Sequence, residues 1–443
     1  MAARVADVVV VGGGPAGVFC AQAIKHLVHC NTRIVVLEAT KELLKKVKIS
    51  GGGRCNVTHA RNKFSIRDLV QQYPRGNKSL MGQLTRFGID ETHAWFEDRG
   101  VKLHTEPDGR VFPATNSSAT IVNALLHAAK DVEFETRTRV TGLTQTEDGR
   151  FEVTATHKAS DDEQRWTATS VVIAGGSSVP LWSLVKSSFG IEIEPPVPSL
   201  FTFQIDNDPR LEGLAGISVD PARVTLPTAK KLAPVTGPVL ITHNGLSGPA
   251  ILRQSAFAAI PMHAANYKMP VQVDWTGGRW RLDEVRSRII SEDVAFLRMR
   301  TQVVQLLKAQ RQAAPQRNLR SVCPVLVDGK PAVPQRLWSR LALDSDIQWS
   351  NASNDVIQSI ASNVVQSTFH TSGKATFKEE FVTAGGVQLN QLTKNLEAKA
   401  VPRLYFVGEF LNVDGVTGGF NFTGCWSSAV AVAHHIASGL RQP

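Results

Sequence analysis

Apolar residues in this chain gather into short blocks that end at glycine. Val8 to Val11 form an unbroken apolar run that stops at Gly12, and Ile34 to Leu37 form a second that stops at Glu38. Short apolar runs bounded by turn residues predict strands buried on both faces, the texture of a parallel sheet. Between them Ala16 to Leu27 has helical character, so the opening reads as strand, helix, strand. Val171 to Ala174 is another buried run and ends at Gly175-Gly176; Phe381 to Ala384 and Leu404 to Val407 end at Gly385-Gly386 and Gly408. Val132 to Val153 predicts short strands joined by the turn Glu147-Asp148-Gly149, a β-meander. Further helices are predicted over Ile66 to Leu84, Thr92 to Arg99, Ser118 to Lys130, about Leu282 to Gln312, Gln335 to Leu343, Ala352 to Val365 and about Asn421 to Gly439.

A different pattern fills the middle of the chain. From Leu200 to about Val273 the sequence is rich in Pro and Gly, with short alternating runs such as Phe201 to Ile205, which fits a small antiparallel barrel or sandwich. Pro195-Pro196-Val197-Pro198 breaks the earlier pattern and marks the expected boundary. With 443 residues the chain is too long for one hydrophobic core. The expected fold class is α/β, a discontinuous Rossmann-like domain of the two-dinucleotide-binding type, with an inserted antiparallel β-barrel and a small helical domain. Its parts are residues 1–195 and 376–443 for the dinucleotide domain, 196–280 and a return through 346–375 for the barrel, and 281–345 for the helical insert.

The turn after the first strand, Gly12-Gly13-Gly14-Pro15-Ala16-Gly17, has the spacing of a dinucleotide-binding loop and its full context. Gly12 permits the tight turn, Gly14 lets backbone approach a diphosphate, and Gly17 lets the helix pack close to the sheet. A diphosphate then rests on the positive end of that helix. Glu38 closes the second strand, where a carboxylate accepts hydrogen bonds from a ribose, and no Arg stands beside it to take a 2′-phosphate. FAD or NAD fits; NADP fits poorly. The closing segment repeats the logic: a strand ending at Gly408-Glu409, then Asp414-Gly415, then Gly418-Gly419 opening a helix. In a two-piece FAD site a carboxylate at Glu409 accepts from the ribityl chain, and the N–H groups of Gly419, Phe420 and Asn421 face the N1–C2=O edge of the flavin. NAD alone needs no such second piece, so FAD is the expected cofactor.

Charge and cysteine content narrow the classes. The formal net charge is +10, and Arg279 to Arg340 carries 13 Lys+Arg against 5 Asp+Glu. A solvated helical face is the plain reading of that stretch; an anionic substrate or a nucleic acid is the sharper one. Aromatic interleaving does not accompany the charge, so nucleic acid is not the expected partner. Cys20, Cys30, Cys55, Cys323 and Cys425 are scattered without a C-x-x-C pair or metal spacing, which argues against a disulfide scaffold, a zinc site or a redox dithiol. The apolar runs fall short of a membrane span, and the N-terminal one runs directly into the glycine turn without a cleavage pattern. The expected location is the cytoplasm, with reduced thiols; the oligomeric state is left open.

Several strings together resemble a known family, the BaiN-like flavoproteins related to aminoacetone oxidase. They are the Gly12 to Gly17 turn, Lys48-Ile49-Ser50-Gly51-Gly52-Gly53-Arg54-Cys55-Asn56-Val57-Thr58, Gly109 to Pro113, Thr242 to Pro249, Thr383 to Val387 and Leu404 to Asn421. The resemblance spans Val8 to about Ala437, and Ser50 to Asn56 is its most specific part. It implies an FAD domain interrupted by a barrel and a helical bundle. It also implies that Ser50 to Asn56 lies along the cofactor and that Val140 and Ala174 border its adenosine half. The chain departs from the pattern after Gly176, where Ser177-Ser178-Val179-Pro180 leads quickly to Leu181-Trp182, and again at Phe422-Thr423-Gly424-Cys425. The expected cofactor contacts are Gly12, Gly14, Pro15, Ala16, Gly17, Glu38, Ala39, Lys48, Ser50, Gly51, Gly52, Gly53, Arg54, Cys55, Asn56, Val140, Ala174, Gly175, Gly408, Glu409, Asp414, Gly418, Gly419, Phe420 and Asn421.

The expected activity is that of an FAD-dependent oxidoreductase moving a hydride between flavin N5 and a small organic substrate. Two versions stand side by side: an amine or aminoketone is oxidised with oxygen as acceptor, or NADH or NADPH docks transiently and an enone-like substrate is reduced. Modification of a nucleic acid such as tRNA, and flavin binding without turnover, are the alternatives. No residue is assigned as the catalytic acid or base. His243 reads as an anchor of its Asn-Gly turn before it reads as a base, and Cys55 and Cys425 read as packing residues before redox thiols. Arg54 suits a phosphate or a flavin carbonyl. Asn421 suits the flavin's pyrimidine end or a helix cap.

Overall fold

The structure is a computed structural model that describes residues 3–158, 160, 162–229, 231–278, 292–342, 346–375 and 382–440, the side chains of 292–298 excepted. The chain forms two compact units, Met1–Val197 with Val382–Pro443, and Pro198–Phe381.

In the first unit the strand Arg4–Val11 lies inside a parallel sheet. Val8 to Val11 run beside Ile34 to Leu37 on one flank, and the strand Glu163–Ile173 lies along the other. Glu133–Glu135 extends the sheet beyond Ile34–Leu37. Val8, Val9, Val10, Val35 and Val36 have no exposed surface, which is why the first strands read as continuous apolar runs. On its other edge the long strand Glu163–Ile173 serves two further partners. Its first half pairs antiparallel with Phe151–His157, part of the meander, and its last three residues pair parallel with Leu404–Phe406 from the far end of the chain. The carboxyl ends of three parallel strands therefore meet along one edge, bringing Gly12, Ala174 and Gly408 together, where ligands of such sheets bind.

The helix Pro15–Leu27 packs against the last helix, Phe420–Leu440, with Phe19 and Trp426 ring centroids 4.9 Å apart. A small sheet of Thr58–His59, Arg110–Pro113 and Leu103–Thr105 sits beside them. Among the described residues no helix is long and apolar enough to cross a membrane.

The two units part inside Pro195-Pro196-Val197-Pro198, between Val197 and Pro198, yet the string is not an irregular break. It runs within a strand, Ile193–Ser199, paired with Val382–Val387 in a two-stranded sheet. In a sheet this narrow every strand is an edge strand, so prolines lacking an N–H are tolerated. Gly385, at φ +108°, allows the close approach, because a Cβ there would lie 2.6 Å from Pro195 O.

The second unit is built on a seven-stranded antiparallel sheet in the order Ser367–His370, Pro270–Asp274, Ser218–Thr225, Val235–Thr242, Gly245–Ser247, Thr202–Gln204, Gly373–Ala375. The helices Glu292–Ala313, Gln335–Leu341 and Asn354–Val365 share one core with these strands, Leu307, Trp338 and Ile360 being buried with Val224, Val271 and Phe369. The start of the helix expected from Leu282, and the residues 279–291 that carry part of the basic stretch, lie outside the described residues. The turn at Asn244-Gly245 is held by Thr242, whose Oγ1 donates to Gly245 O at 3.1 Å and accepts from Asn244 N at 3.3 Å. His243 is exposed.

Candidate functional site

The glycine turn is shaped by two steric demands and one open face. Gly12 sits at φ +112°, and a Cβ there would lie 2.5 Å from Ala174 O. A Cβ on Gly17 would lie 2.0 Å from Gly12 O, so that glycine sets how closely the helix Pro15–Leu27 meets the turn. Gly14 is different: nothing lies within 4 Å of the position its Cβ would take. It faces open space, a cavity of about 410 Å³.

That cavity is lined by Gly12, Gly13, Gly14, Pro15 and Ala16 at the helix start, by Glu38 to Thr40, by Thr138 to Val140, and by Ala174 to Ser178. The first N–H groups of a helix have no partner within it, and they make this end a seat for an anion. Glu38 turns back over the turn: one carboxylate oxygen accepts from Gly13 N at 2.7 Å and the other from Thr40 N at 2.8 Å. At the other end stand Lys46, Ser177, Glu409 and Cys425. Lys46 Nζ donates to Ser177 Oγ at 3.2 Å and forms a close ion pair with Glu409. The second Glu409 oxygen accepts from Thr383 N at 3.1 Å. Carboxylates at both ends, a helix terminus between them and a glycine with an open face form a cradle that suits the ADP half of FAD and the start of its ribityl chain.

Of the residues singled out in the sequence, Gly12, Gly14, Pro15, Ala16, Glu38, Ala39, Val140, Ala174, Gly175 and Glu409 line this cavity. Gly17 and Gly408 lie behind it as packing positions; a Cβ on Gly408 would meet Ala16 Cβ at 2.5 Å. The others are placed elsewhere. Lys48 stands 3.9 Å from Glu42 with both side chains largely in solvent. Gly51, Gly52 and Gly53 are exposed and all left-handed, following Ser50 at the end of a short helix. Arg54 donates to Glu106 at 2.7 Å and lies 4.0 Å over the Phe112 ring, so its charge already has a partner. Asn56 Oδ1 accepts from Val111 N at 3.2 Å.

The start of the last helix is packed against Thr58 and His59. Gly419, at φ +88°, lies so near Thr58 that a Cβ would come within 2.2 Å of its carbonyl oxygen. His59 Nδ1 donates to Gly418 O at 2.8 Å, and its ring stacks on Phe420 at 4.8 Å. Asn421 closes the preceding loop, accepting from Gly415 N and donating to Gly415 O, both at 2.8 Å. Asp414 has no exposed side-chain surface and pairs with Arg75 through both carboxylate oxygens.

Sequence reading missed Lys46, Ser177, Thr138 and Arg139, all on the cavity wall. The paired lysines of Lys45-Lys46 were a usable signal, but nothing in the string separates them from Lys48. His59 had no signal at all, because its partner lies at the other end of the chain.

The thiols are chemically quiet. Burial pushes Cys55 and Cys425 up to about 12, the nearby Glu409 carboxylate adding to the second effect. Burial also raises Cys323 to about 11 and lifts Cys20 further. Cys30 alone is exposed among the five free cysteines. One thiol is expected to react quickly with an aromatic disulfide reagent at neutral pH, and all five after unfolding. A second fast equivalent in the folded protein would show that Cys425 is open to the cavity as a reactive group. Among the described residues no group of three His, Cys, Asp or Glu could hold a metal ion.

Residues 6–435 match the family described as the HI0933-like protein Rossmann domain. The chain belongs to this family. The HI0933-like chain is an FAD-dependent oxidoreductase, and the cradle at Gly12–Ala16, Glu38 and Glu409 fits that cofactor. It is 26% identical over 441 residues to the ribosomal RNA dihydrouridine synthase of Escherichia coli (strain K12), covering 97% of this chain and 98% of that one. To the 3-dehydro-bile acid delta(4,6)-reductase of Clostridium scindens it is 25% identical over 434 residues, covering 95% and 96%. Among solved structures, a quinol–fumarate reductase with menaquinol molecules shares the fold at 13% identity and a TM-score of 0.51, over 99% of this chain and 72% of that one.

Proposed function

We propose that this HI0933-like protein reduces a carbon–carbon double bond conjugated to a carbonyl group in a small organic substrate. The observation that carries the reading is the shared chemistry of two relatives matched along nearly their whole length. Dihydrouridine is a uridine whose ring double bond, next to a carbonyl, has been saturated. A delta(4,6)-reductase acting on a 3-dehydro bile acid saturates double bonds that run on from a ketone. Both reactions add a hydride to the electron-poor end of an enone-like system and a proton to the other end. FAD supplies the hydride at flavin N5 when bound.

The chain's own contribution is to hold that cofactor. Gly12 to Ala16 and the helix behind them present N–H groups to the diphosphate, Glu38 accepts from the adenosine ribose, and Glu409 accepts from the ribityl hydroxyls. The electron donor proposed with this reading is NADH or NADPH, docking transiently, since the sequence offers no second glycine-rich turn to hold it permanently.

A second reading is that the double bond belongs to a base in RNA. It is favoured by residues 299–342, which carry 8 Lys+Arg against 1 Asp+Glu. Arg317, Lys330 and Arg336 in that stretch are exposed.

The test is anaerobic. The purified yellow protein is expected to bleach with NADH or NADPH and to regain its colour, still without air, when a conjugated ketone is added. Recovery with uridine-containing RNA but not with conjugated ketones would move the substrate to the second reading; salt-sensitive RNA binding would accompany it. Bleaching by an amine or aminoketone, followed by peroxide when air is admitted, would overturn the reductase reading in favour of an oxidase.

A further inference from the structure

Among the cations on the cavity wall, Lys46 is the one whose ammonium is tied into it. Lys45 and Arg139 also line the cavity, but both are exposed, whereas Lys46 is half-buried. Its position is set by the residue two places earlier. Leu44 is fully buried at φ 57°, ψ 29°, and its N–H donates to Gly13 O at 2.9 Å. A leucine in the left-handed region is unfavourable by itself, and it persists where its surroundings demand it. Here it clips the start of the helix Lys45–Gly53 to the glycine turn, and the first turn of that helix brings Lys46 to Ser177 and Glu409.

The charges give Lys46 a task. An FAD diphosphate seated at Gly12 to Ala16 would lie in a cavity that already holds Glu38 at one end and Glu409 at the other. Like charges in a partly buried cavity repel strongly. An ammonium has three N–H bonds. Two of those of Lys46 are committed, one to Ser177 and one to Glu409.

We infer that Lys46 is a cofactor-binding residue, which offsets the Glu409 charge and directs its remaining N–H toward the diphosphate-to-ribityl stretch of FAD. The inference rests on the FAD assignment, and it gives Lys46 the role that the string Lys48 to Asn56 suggested for Lys48.

The experiment measures FAD affinity of the full-length protein by flavin fluorescence, at several salt concentrations, for wild type, Lys46→Met, Lys46→Arg and Glu409→Gln. Loss of a charged hydrogen bond is expected to weaken FAD roughly 10- to 100-fold in Lys46→Met. Lys46→Arg should recover most of that loss. The fall of affinity with salt should be shallower in Lys46→Met, and adding Glu409→Gln to it should restore part of the binding, since one repelling charge has gone. Thermal unfolding of the flavin-free proteins separates binding from structure: Lys46→Met should melt close to wild type. Should Lys46→Met not fold, Lys46→Gln with Glu409→Gln carries the same comparison. Wild-type affinity in Lys46→Met, or a loss of affinity matched by a loss of flavin-free stability, overturns the inference. A wild-type protein that takes up no FAD overturns the cofactor assignment instead.

Discussion

Gly14→Val is expected to yield a folded protein that purifies without its yellow colour. Gly14 has φ −75° and ψ −175°, a conformation open to any residue, and nothing stands within 4 Å of its missing Cβ. The fold therefore accepts a side chain there. Valine in place of glycine at a helix N-cap costs at most about 1 kcal/mol. The same side chain projects into the cavity where the diphosphate must reach the helix N–H groups. Losing those contacts should lower FAD affinity by about 100-fold or more, on the scale of about 1.4 kcal/mol per tenfold. Flavin content per chain and the melting temperature of the flavin-free protein are the two readouts. A full complement of FAD in Gly14→Val would mean that the diphosphate sits elsewhere. Gly12 and Gly17 cannot serve in this test, since a Cβ on either would strike backbone at 2.5 or 2.0 Å and disturb the turn itself.

Asp414→Ala should unfold far more easily than wild type. Asp414 has no exposed side-chain surface and Arg75 only 12%. The two are joined through both carboxylate oxygens. Removing one member of a buried ion pair leaves the other charge without its partner and typically costs about 3–5 kcal/mol. The pair also anchors the loop leading into the last helix, where Val416 N donates to Gln72 O at 2.9 Å. Urea unfolding of the flavin-free protein measures the loss, and Arg75→Met combined with Asp414→Ala should recover much of it. If Asp414→Ala instead kept full stability and lost only flavin, the acidic residue would be acting on the cofactor, the role its place in the closing motif suggests.

Much of the first unit is legible in the string of residues. Val8 to Val11 and Ile34 to Leu37 read as buried strands and are buried strands, and the tight-turn and close-packing demands expected of Gly12 and Gly17 are both met in the structure, while Gly14 keeps an open face. Glu38 and Glu409 stand at strand ends, where position alone identifies them. The lysines were harder. Lys45, Lys46 and Lys48 point about a hundred degrees apart for each step along a helix, and the left-handed Leu44 decides which of them reaches Ser177 and Glu409. A conformation that rare for leucine leaves no mark in composition. Arg54 and Asp414 were hard to read for a related reason: charged residues within a cofactor-type motif are equally suited to an internal partner, and the partners found, Glu106 and Arg75, are distant in sequence. The prolines at 195, 196 and 198 read as an interruption because nothing local reveals that their strand has a single neighbour.

The strand Glu163–Ile173 has a consequence for the order of events in the cell. Its last residues wait for Leu404–Phe406, and Glu409 follows directly behind that partner. A nascent chain emerging from the ribosome can finish the turn at Gly12 and the meander early, yet it has only half a seat to offer. Flavin capture therefore waits until Leu404–Phe406 has been made and has folded back onto that strand.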